Sequence, residues 1–293
     1  MKEKRLFKFG VLALSIVLIA CTGGSAEAGC PEIDGREINV VATTPMIGEF
    51  VSQVGGDNIN LTVLMPAEAD PHTYEPAPQD AGTIADADLV FYTGLKYEPA
   101  ALIKLLENSA CSAEVLAEVG ESVFPIEFKE GGHDDHDEEG HDDDEEGHDD
   151  HAGHDHGAYD PHFWFDPNRV AYAAEYIESK LVEFDSSNAS EYEAAGKAYV
   201  TELKGLVGQV SELISTIPSQ NRRLITTHES LGYLEAKFGL EVLSTIIPSV
   251  DSANEISPSQ LVGVIDVIED NNVKAIFIEA EAPSVYAETI VAE

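Results

Sequence analysis

Two runs of alternating strand and helix patterns, separated by a long helical stretch, constrain the fold of this chain most strongly. Residues 37–43 (EINVVAT) are apolar and β-branched, which predicts a buried strand, and Pro45 then opens an amphipathic helix pattern. The other predicted strands share this character and lie at 59–65, 88–92, 114–119, 223–227, 241–247 and 274–278. The helices predicted between and after them lie at 79–85, 99–107, 230–238, 258–271 and 283–292. Strands that alternate with helices form parallel sheets, so we predict an α/β protein with two parallel-sheet lobes.

A long backbone helix is predicted to join the two lobes. Asp166 followed by Pro167 is typical of a helix N-cap and the first helical residue. A break at 184–188 divides the stretch that follows into two helices, of which the second covers 190–215. Apolar residues recur along this second helix at helical spacing: Tyr192, Ala195, Tyr199, Leu203, Leu206, Val210 and Leu213. This spacing predicts a single long helix.

Residues 1–20 have the pattern of a signal peptide, in which basic residues precede a short apolar run. The run is shorter than a membrane-spanning helix requires. It ends in LIAC, which resembles a bacterial lipobox, where the signal is cut before the cysteine and that cysteine, here Cys21, is lipidated. An uncleaved anchor and a plain signal peptide are the alternatives. We expect residues 21–36 to form a lipid-anchored tether and the protein to be exported, to the periplasm or the outer face of the cytoplasmic membrane.

The chain is strongly acidic, with a formal net charge of −39 at pH 7. The segment 130–156 contains 14 of the 55 acidic residues and has no Lys or Arg. Nucleic acid is therefore excluded as a partner, because phosphate binding requires a basic face. A negative surface attracts cations instead.

A histidine-rich acidic tract, residues 130–158, lies between the first lobe and the long helices. Seven of the ten histidines belong to it: His133, His136, His141, His148, His151, His154 and His156. Imidazole and carboxylate are ligands for divalent transition metals. Few of its residues are apolar and its charges are alike, so we expect a disordered loop that binds metal weakly.

The other three histidines, His72, His162 and His228, each lie in a short motif at the end of a predicted strand or the start of a predicted helix. His72 and His162 both follow Asp-Pro, and His228 follows the strand 223–227 directly. In open α/β sheets, ligand sites gather at the carboxyl edge of the strands. We therefore predict that these three imidazoles form one tight metal site. Three imidazoles with one oxygen ligand suit Zn²⁺, whereas manganese prefers more oxygen.

Two further cysteines, Cys30 and Cys111, are outside any C-x-x-C pattern. In an exported protein two thiols more often pair than stay free. We expect a structural disulfide between them.

Five motifs give the chain a resemblance to a known family. They are ADPHTYEP at 69–76, ADLVFYTGLKYEP at 87–99, DPHFWFDP at 160–167, TTHESLGYLEAKFGLE at 226–241 and VKAIFIE at 273–279. The sequence resembles the ZnuA-type solute-binding lipoproteins that serve zinc and manganese ABC importers. The resemblance implies two α/β lobes around a rigid helix, with metal ligands at the positions of His72, His162 and His228. A His-rich insertion before the second D-P-H is typical of the zinc-specific members.

The resemblance also implies features that this chain does not match. Many members have a carboxylate ligand in a late D-P-L-G motif, which would lie beyond residue 293. We therefore expect the C-terminal lobe to be truncated and the fourth ligand to be missing from this sequence. Manganese-specific members usually have a carboxylate where His228 stands. The resulting boundaries are 37–129 for the N-terminal lobe, 159–217 for the metal motif and backbone helices, and 218–293 for the C-terminal lobe.

Together these features predict a monomeric extracytoplasmic protein that captures Zn²⁺ and delivers it to the permease of an ABC importer, while a lipid anchor holds it at the membrane. The alternatives are a manganese or iron solute-binding protein of the same family, and a surface adhesin or metal-storage lipoprotein. A zinc hydrolase is a third class, in which Glu75 or Glu229 would be the general base. Because the chain has no H-E-x-x-H helix or nucleophile motif, we predict that it is not an enzyme.

Overall fold

The fold is taken from a computed structural model, which describes residues 30, 33, 35–127, 158–247, 257–278 and 290. Within these ranges the chain forms two parallel sheets, one on each side of two consecutive long helices in the sequence. The predicted α/β fold class is confirmed. The signal peptide, Cys21, the seven histidines of the tract and most of the predicted helix 283–292 lie outside the described residues.

The N-terminal lobe is a four-stranded parallel sheet in the order β2-β1-β3-β4. Its strands are β1 (Ile38–Ala42), β2 (Ile59–Val63), β3 (Leu89–Tyr92) and β4 (Leu116–Glu118). Its helices are α1 (Pro45–Gly55), α2 (Pro78–Ala85) and α3 (Ala100–Ser109). The two central strands, β1 and β3, are buried almost throughout, as expected when helices cover both faces of a parallel sheet.

Two helices follow the tract, α4 (Pro167–Phe184) and α5 (Ala189–Ser215). The Asp166 side chain accepts a hydrogen bond from the Asn168 amide and Pro167 is the first helical residue, so the predicted cap is confirmed. α4 and the first half of α5 pack into the same core as the N-terminal sheet. The two backbone helices are therefore joined most extensively to the first lobe.

The joint between α4 and α5 is organised by one buried carboxylate, Asp185. It accepts hydrogen bonds from Ser187, from Asn188 at 2.7 Å and from the Tyr192 hydroxyl at 2.8 Å. Burial raises the pKa of Asp185, but these three hydrogen bonds outweigh it and bring the pKa below its ordinary value of 3.8. The joint is thus stabilised by the ionised carboxylate.

The C-terminal lobe contains a three-stranded parallel sheet in the order β6-β5-β7. Its strands are β5 (Arg223–Thr226), β6 (Glu241–Thr245) and β7 (Ala275–Phe277), and its helices are α6 (Gly232–Phe238) and α7 (Pro258–Asn271). A smaller core lies between this sheet and α7, around Ile225, Ile246 and Val264. In the described ranges, no helix is both long and apolar enough to cross a membrane.

Two local expectations differ from the structure. The strand predicted at 114–119 begins as a 3-10 helix, Ala113–Val115, so β4 is shorter, and α6 begins two residues later than predicted. The helix predicted over 190–215 is present as α5, and the apolar side chains of its second half include two that are exposed, Leu206 at 39% and Leu213 at 68%. α4 has 18 residues and α5 has 27, so α4 cannot cover all of α5.

Candidate metal centre

The three motif histidines converge at one point. His72 lies in the loop after β2, His162 immediately precedes the helical segment that leads into α4, and His228 follows β5. One ligand nitrogen of each lies within 4.8 Å of the others. The Nε2 atoms of His162 and His228 are only 3.3 Å apart, and both residues are buried, whereas His72 is half-buried.

Sheet topology explains this convergence. Both sheets are parallel, so the loops that follow their strands collect at the carboxyl edges, where α/β proteins bind ligands. His228 is fixed there through its backbone carbonyl, which accepts hydrogen bonds from the Thr226 hydroxyl at 2.8 Å and the Ser230 amide at 3.0 Å. The loop after β5 is therefore locked where it presents the imidazole.

The repeated Asp-Pro-His motif forms the same turn twice. In each copy the aspartate Oδ1 accepts a hydrogen bond from the histidine backbone amide, at 2.9 Å from Asp70 to His72 and at 2.8 Å from Asp160 to His162. Aspartate readily bonds to the backbone two residues on, and the intervening proline restricts the chain. The motif is thus a device that fixes the backbone of a histidine.

Asp160 also orients the imidazole of His162. Its Oδ1 lies 2.8 Å from His162 Nδ1, and both side chains are almost fully buried. A carboxylate oxygen only accepts, so Nδ1 carries the proton and the lone pair of Nε2 is directed towards His228. Carboxylate–histidine pairs of this kind fix the tautomer and raise the basicity of a metal ligand.

Asp160 is itself held by the C-terminal lobe and by the chain before the tract. Its carbonyl accepts from the Tyr233 hydroxyl at 2.7 Å, and its amide donates to the Ile126 carbonyl at 2.9 Å. Burial, chiefly, raises the pKa of Tyr233 to about 12, so this hydroxyl stays protonated as a donor. A Cβ atom on Gly232 would lie 2.5 Å from Asp160 Oδ2, so the start of α6 leaves no space for a side chain there.

Two aromatic rings lie on one side of the histidine cluster. The Tyr97 ring lies 5.0 Å from His72 and 5.8 Å from His162 between ring centroids, both in edge-to-face geometry. The Trp164 ring lies 5.5 Å from His162 and 5.1 Å from Tyr97. The histidines therefore have an apolar wall beside them.

Acidic side chains lie beside the cluster. Burial raises the pKa of Glu229, and the negative charges of Asp160 and Glu235 raise it further. Glu75, the other candidate base of the hydrolase alternative, is exposed. Acidic groups around three imidazoles provide a favourable environment for a divalent cation.

Sequence reasoning identified the three histidines but missed the groups that hold them. Asp160 and Trp164 belong to the motif at 160–167, but the sequence assigned no role to them. The same is true of Tyr97 in the motif at 87–99 and of Tyr233 in the motif at 226–241. The repetition of Asp-Pro-His was the available signal for Asp160.

The structure also joins Cys30 to Cys111 by a disulfide, with Cα atoms 5.0 Å apart.

The fold and this cluster agree with the result of a comparison with protein families. A family model described as ZnuA, zinc-uptake complex component A, periplasmic, matches residues 40–293. The chain belongs to the ZnuA family. The predicted family membership is thus confirmed.

Similar proteins within this family are named for two different metals. The manganese-binding lipoprotein MntA of Halalkalibacterium halodurans is 25% identical over 288 residues, which are 98% of this chain and 85% of that protein. The high-affinity zinc uptake system protein ZnuA of Bacillus subtilis is 29% identical over 290 residues, 97% of this chain and 83% of that protein. A crystal structure of a ZnuA matches with a TM-score of 0.71 at 25% identity and covers 87% of each chain.

Membership of this family shows what kind of protein this is. It is the substrate-binding protein of a metal ABC transporter and not an enzyme, as predicted. Such components work with a permease and an ATPase in the membrane, and the relatives named lipoproteins indicate a position outside the cytoplasm. Its relatives are named for manganese or for zinc, so the family alone leaves the metal open.

Proposed function

We propose that this protein captures Zn²⁺ at His72, His162 and His228 and delivers it to the permease of an ABC importer. The observation that carries the proposal is the convergence of the three imidazoles within 4.8 Å, with His162 oriented by Asp160. Zinc accepts three nitrogen ligands and one oxygen in tetrahedral geometry. Manganese favours sites richer in oxygen, so the donor set supports zinc among the two metals named for relatives.

The test is a titration of single variants with Zn²⁺ and with Mn²⁺. H72A, H162A and H228A should each weaken zinc binding by at least about tenfold, because each removes one ligand of a site with few. H154A, which removes a histidine of the tract, is the matched control and should leave the tight site unchanged. Wild-type affinity in all three site variants would refute the site, and tighter binding of manganese than of zinc would refute the cargo.

We further propose that the tract, residues 130–158, collects metal weakly through its seven histidines and raises the metal concentration beside His162. The residues that flank it support this role, because Glu127 and Tyr159 pair in an antiparallel bridge next to Asp160. Deletion of residues 131–157 should lower the total metal stoichiometry, keep the tight site, and impair uptake when zinc is scarce. Loss of the tight site on deletion would mean that the tract supplies primary ligands.

We propose that Cys21 is lipidated and holds a monomeric protein outside the cytoplasmic membrane. The order of segments supports this arrangement, since the tether 21–36 leads directly into β1. C21S, expressed in the cells that make the protein, should move it from the membrane fraction to the soluble fraction. Retention of C21S in the membrane would indicate an uncleaved anchor.

A further inference from the structure

The aromatic wall beside the histidines stands on an unusual turn. Between β3 and α3, three consecutive residues have positive φ: Gly94 at 74°, Leu95 at 53° and Lys96 at 61°. Glycine adopts this conformation readily, but each residue with a side chain is strained there by about 1–2 kcal/mol. Tyr97 follows immediately, and its buried ring meets His72 and His162. The turn therefore fixes the position of that ring.

Two carboxylates hold the strained turn. Glu98 accepts hydrogen bonds from the Thr93 amide at 2.6 Å, the Gly94 amide at 2.9 Å and the Thr43 hydroxyl at 2.7 Å. Glu118, at the end of β4, accepts from the Leu95 amide at 3.0 Å. Strained backbone persists where surrounding groups fix it, and such sites cluster where function requires a fixed geometry.

Close packing also requires glycine at the first position of the turn. A Cβ atom on Gly94 would lie 2.0 Å from Glu118 Oε1. Glu98 is buried, and burial raises the pKa of its carboxyl while its hydrogen bonds from Thr43, Thr93 and Gly94 oppose that rise. The buried Glu98 carboxylate and the closely packed Glu118 carboxylate thus hold the turn that places Tyr97 against His72 and His162.

We propose that Tyr97 and Trp164 are specificity-determining residues that select zinc over manganese by excluding water from the metal centre. The inference rests on the proposed function, since it concerns the metal bound by the three histidines. Zinc is satisfied by four ligands, whereas manganese prefers octahedral coordination with oxygen. Rings within 6 Å of the imidazoles occupy the space in which additional waters would complete that shell.

The experiment compares Y97A with Y97F in protein that retains the full chain. Y97A opens the wall, so the ratio of the manganese and zinc dissociation constants should fall by about tenfold, mainly because manganese binds more tightly. Y97F keeps the ring and should preserve the wild-type ratio. In Y97A loaded with Co²⁺, the visible absorption should weaken as the ion moves from tetrahedral towards octahedral coordination.

A wild-type metal ratio together with a wild-type Co²⁺ spectrum in Y97A would overturn the proposal. If Y97A loses its cooperative thermal transition, W164A replaces it in the test, because Trp164 belongs to the same wall and is only half-buried. The same fall in the ratio of the manganese and zinc dissociation constants is expected for W164A. Failure of the proposed function would look different, because the unsubstituted protein would then bind no zinc that depends on His162.

Discussion

Asp160 is predicted to act on metal affinity through His162 rather than through stability. Its Oδ1 accepts both the backbone amide and Nδ1 of His162 at 2.8 Å, and Asp160 is 4% exposed. D160A removes this acceptor, so the imidazole loses the partner that fixes its ring and its tautomer. Loss of such a partner typically costs about 10–100-fold in metal affinity, which corresponds to about 1.4–2.7 kcal/mol.

A second substitution separates charge from position. In D160N the amide oxygen can take the place of Oδ1 and accept the same two hydrogen bonds, while the nitrogen takes the place of Oδ2 beside Gly232. The negative charge is lost, and with it part of the basicity of the ligand, while the Oδ2 position changes from an acceptor to an NH2 donor. We expect D160N to weaken zinc binding less than D160A, so that the order of affinity is wild type, D160N, D160A.

The assay is a competitive zinc titration, together with thermal unfolding of the metal-free protein. D166A is the matched control, because Asp166 is an equally buried aspartate four residues from His162 whose carboxylate caps α4. Loss of the cap should lower stability by about 1 kcal/mol and leave zinc affinity unchanged. The reasoning is refuted if D160A binds zinc like the wild type, or if D166A weakens binding as much as D160A does.

Three further predictions concern packing, pH and the disulfide. G232A should lower the unfolding free energy by about 1–3 kcal/mol and weaken zinc binding, because the new methyl displaces the Asp160 carboxylate, whereas G263A in α7 meets no atom within 4 Å and should leave zinc binding unchanged. D185N should lower the unfolding free energy near neutral pH by about 1–3 kcal/mol. The folded pKa of Asp185 lies below its ordinary value of 3.8, so denaturant titrations should show the D185N difference in full above 3.8 and its loss as the pH falls through the folded pKa. C30S should lower the unfolding free energy by about 2–4 kcal/mol, because the disulfide closes a loop with a sequence separation of 81, and an equal stability of C30S and wild type would show that the pairing is wrong.

The elements that sequence predicted well are those with local signals. α1 begins at Pro45 because the Thr44 side chain caps it and proline suits the first turn. α7 has both predicted ends, because the N-cap Ser257 forms a capping box with Gln260 in the first turn and Asn272 adopts the left-handed conformation after the helix. In each case the signal and the structure it specifies lie within a few residues of each other.

The parts of the site that sequence did not predict depend on distant pairs. The Tyr233 hydroxyl bonds to the Asp160 carbonyl across 73 residues and to the Ile126 amide across 107. The left-handed turn before Tyr97 contains two residues that do not favour this conformation, so its local sequence gave no indication of it. Such features depend on contacts between residues that are far apart in the chain. A single sequence does not show which distant residues make contact.

The flanks of the tract explain why its deletion should leave the metal centre in place. Glu127 and Tyr159 form an antiparallel bridge, and the adjacent Asp160 amide bonds to the Ile126 carbonyl. Removal of residues 131–157 leaves residues 128–130 and 158 between the bridged pair, and loops of about four residues are common between antiparallel strands. Tyr233 bonds to both Ile126 and Asp160 from outside the deleted segment, so we expect the hydrogen bonds that position Asp160 to persist. A change in the tight site after this deletion would therefore come from lost ligands and not from loss of these hydrogen bonds.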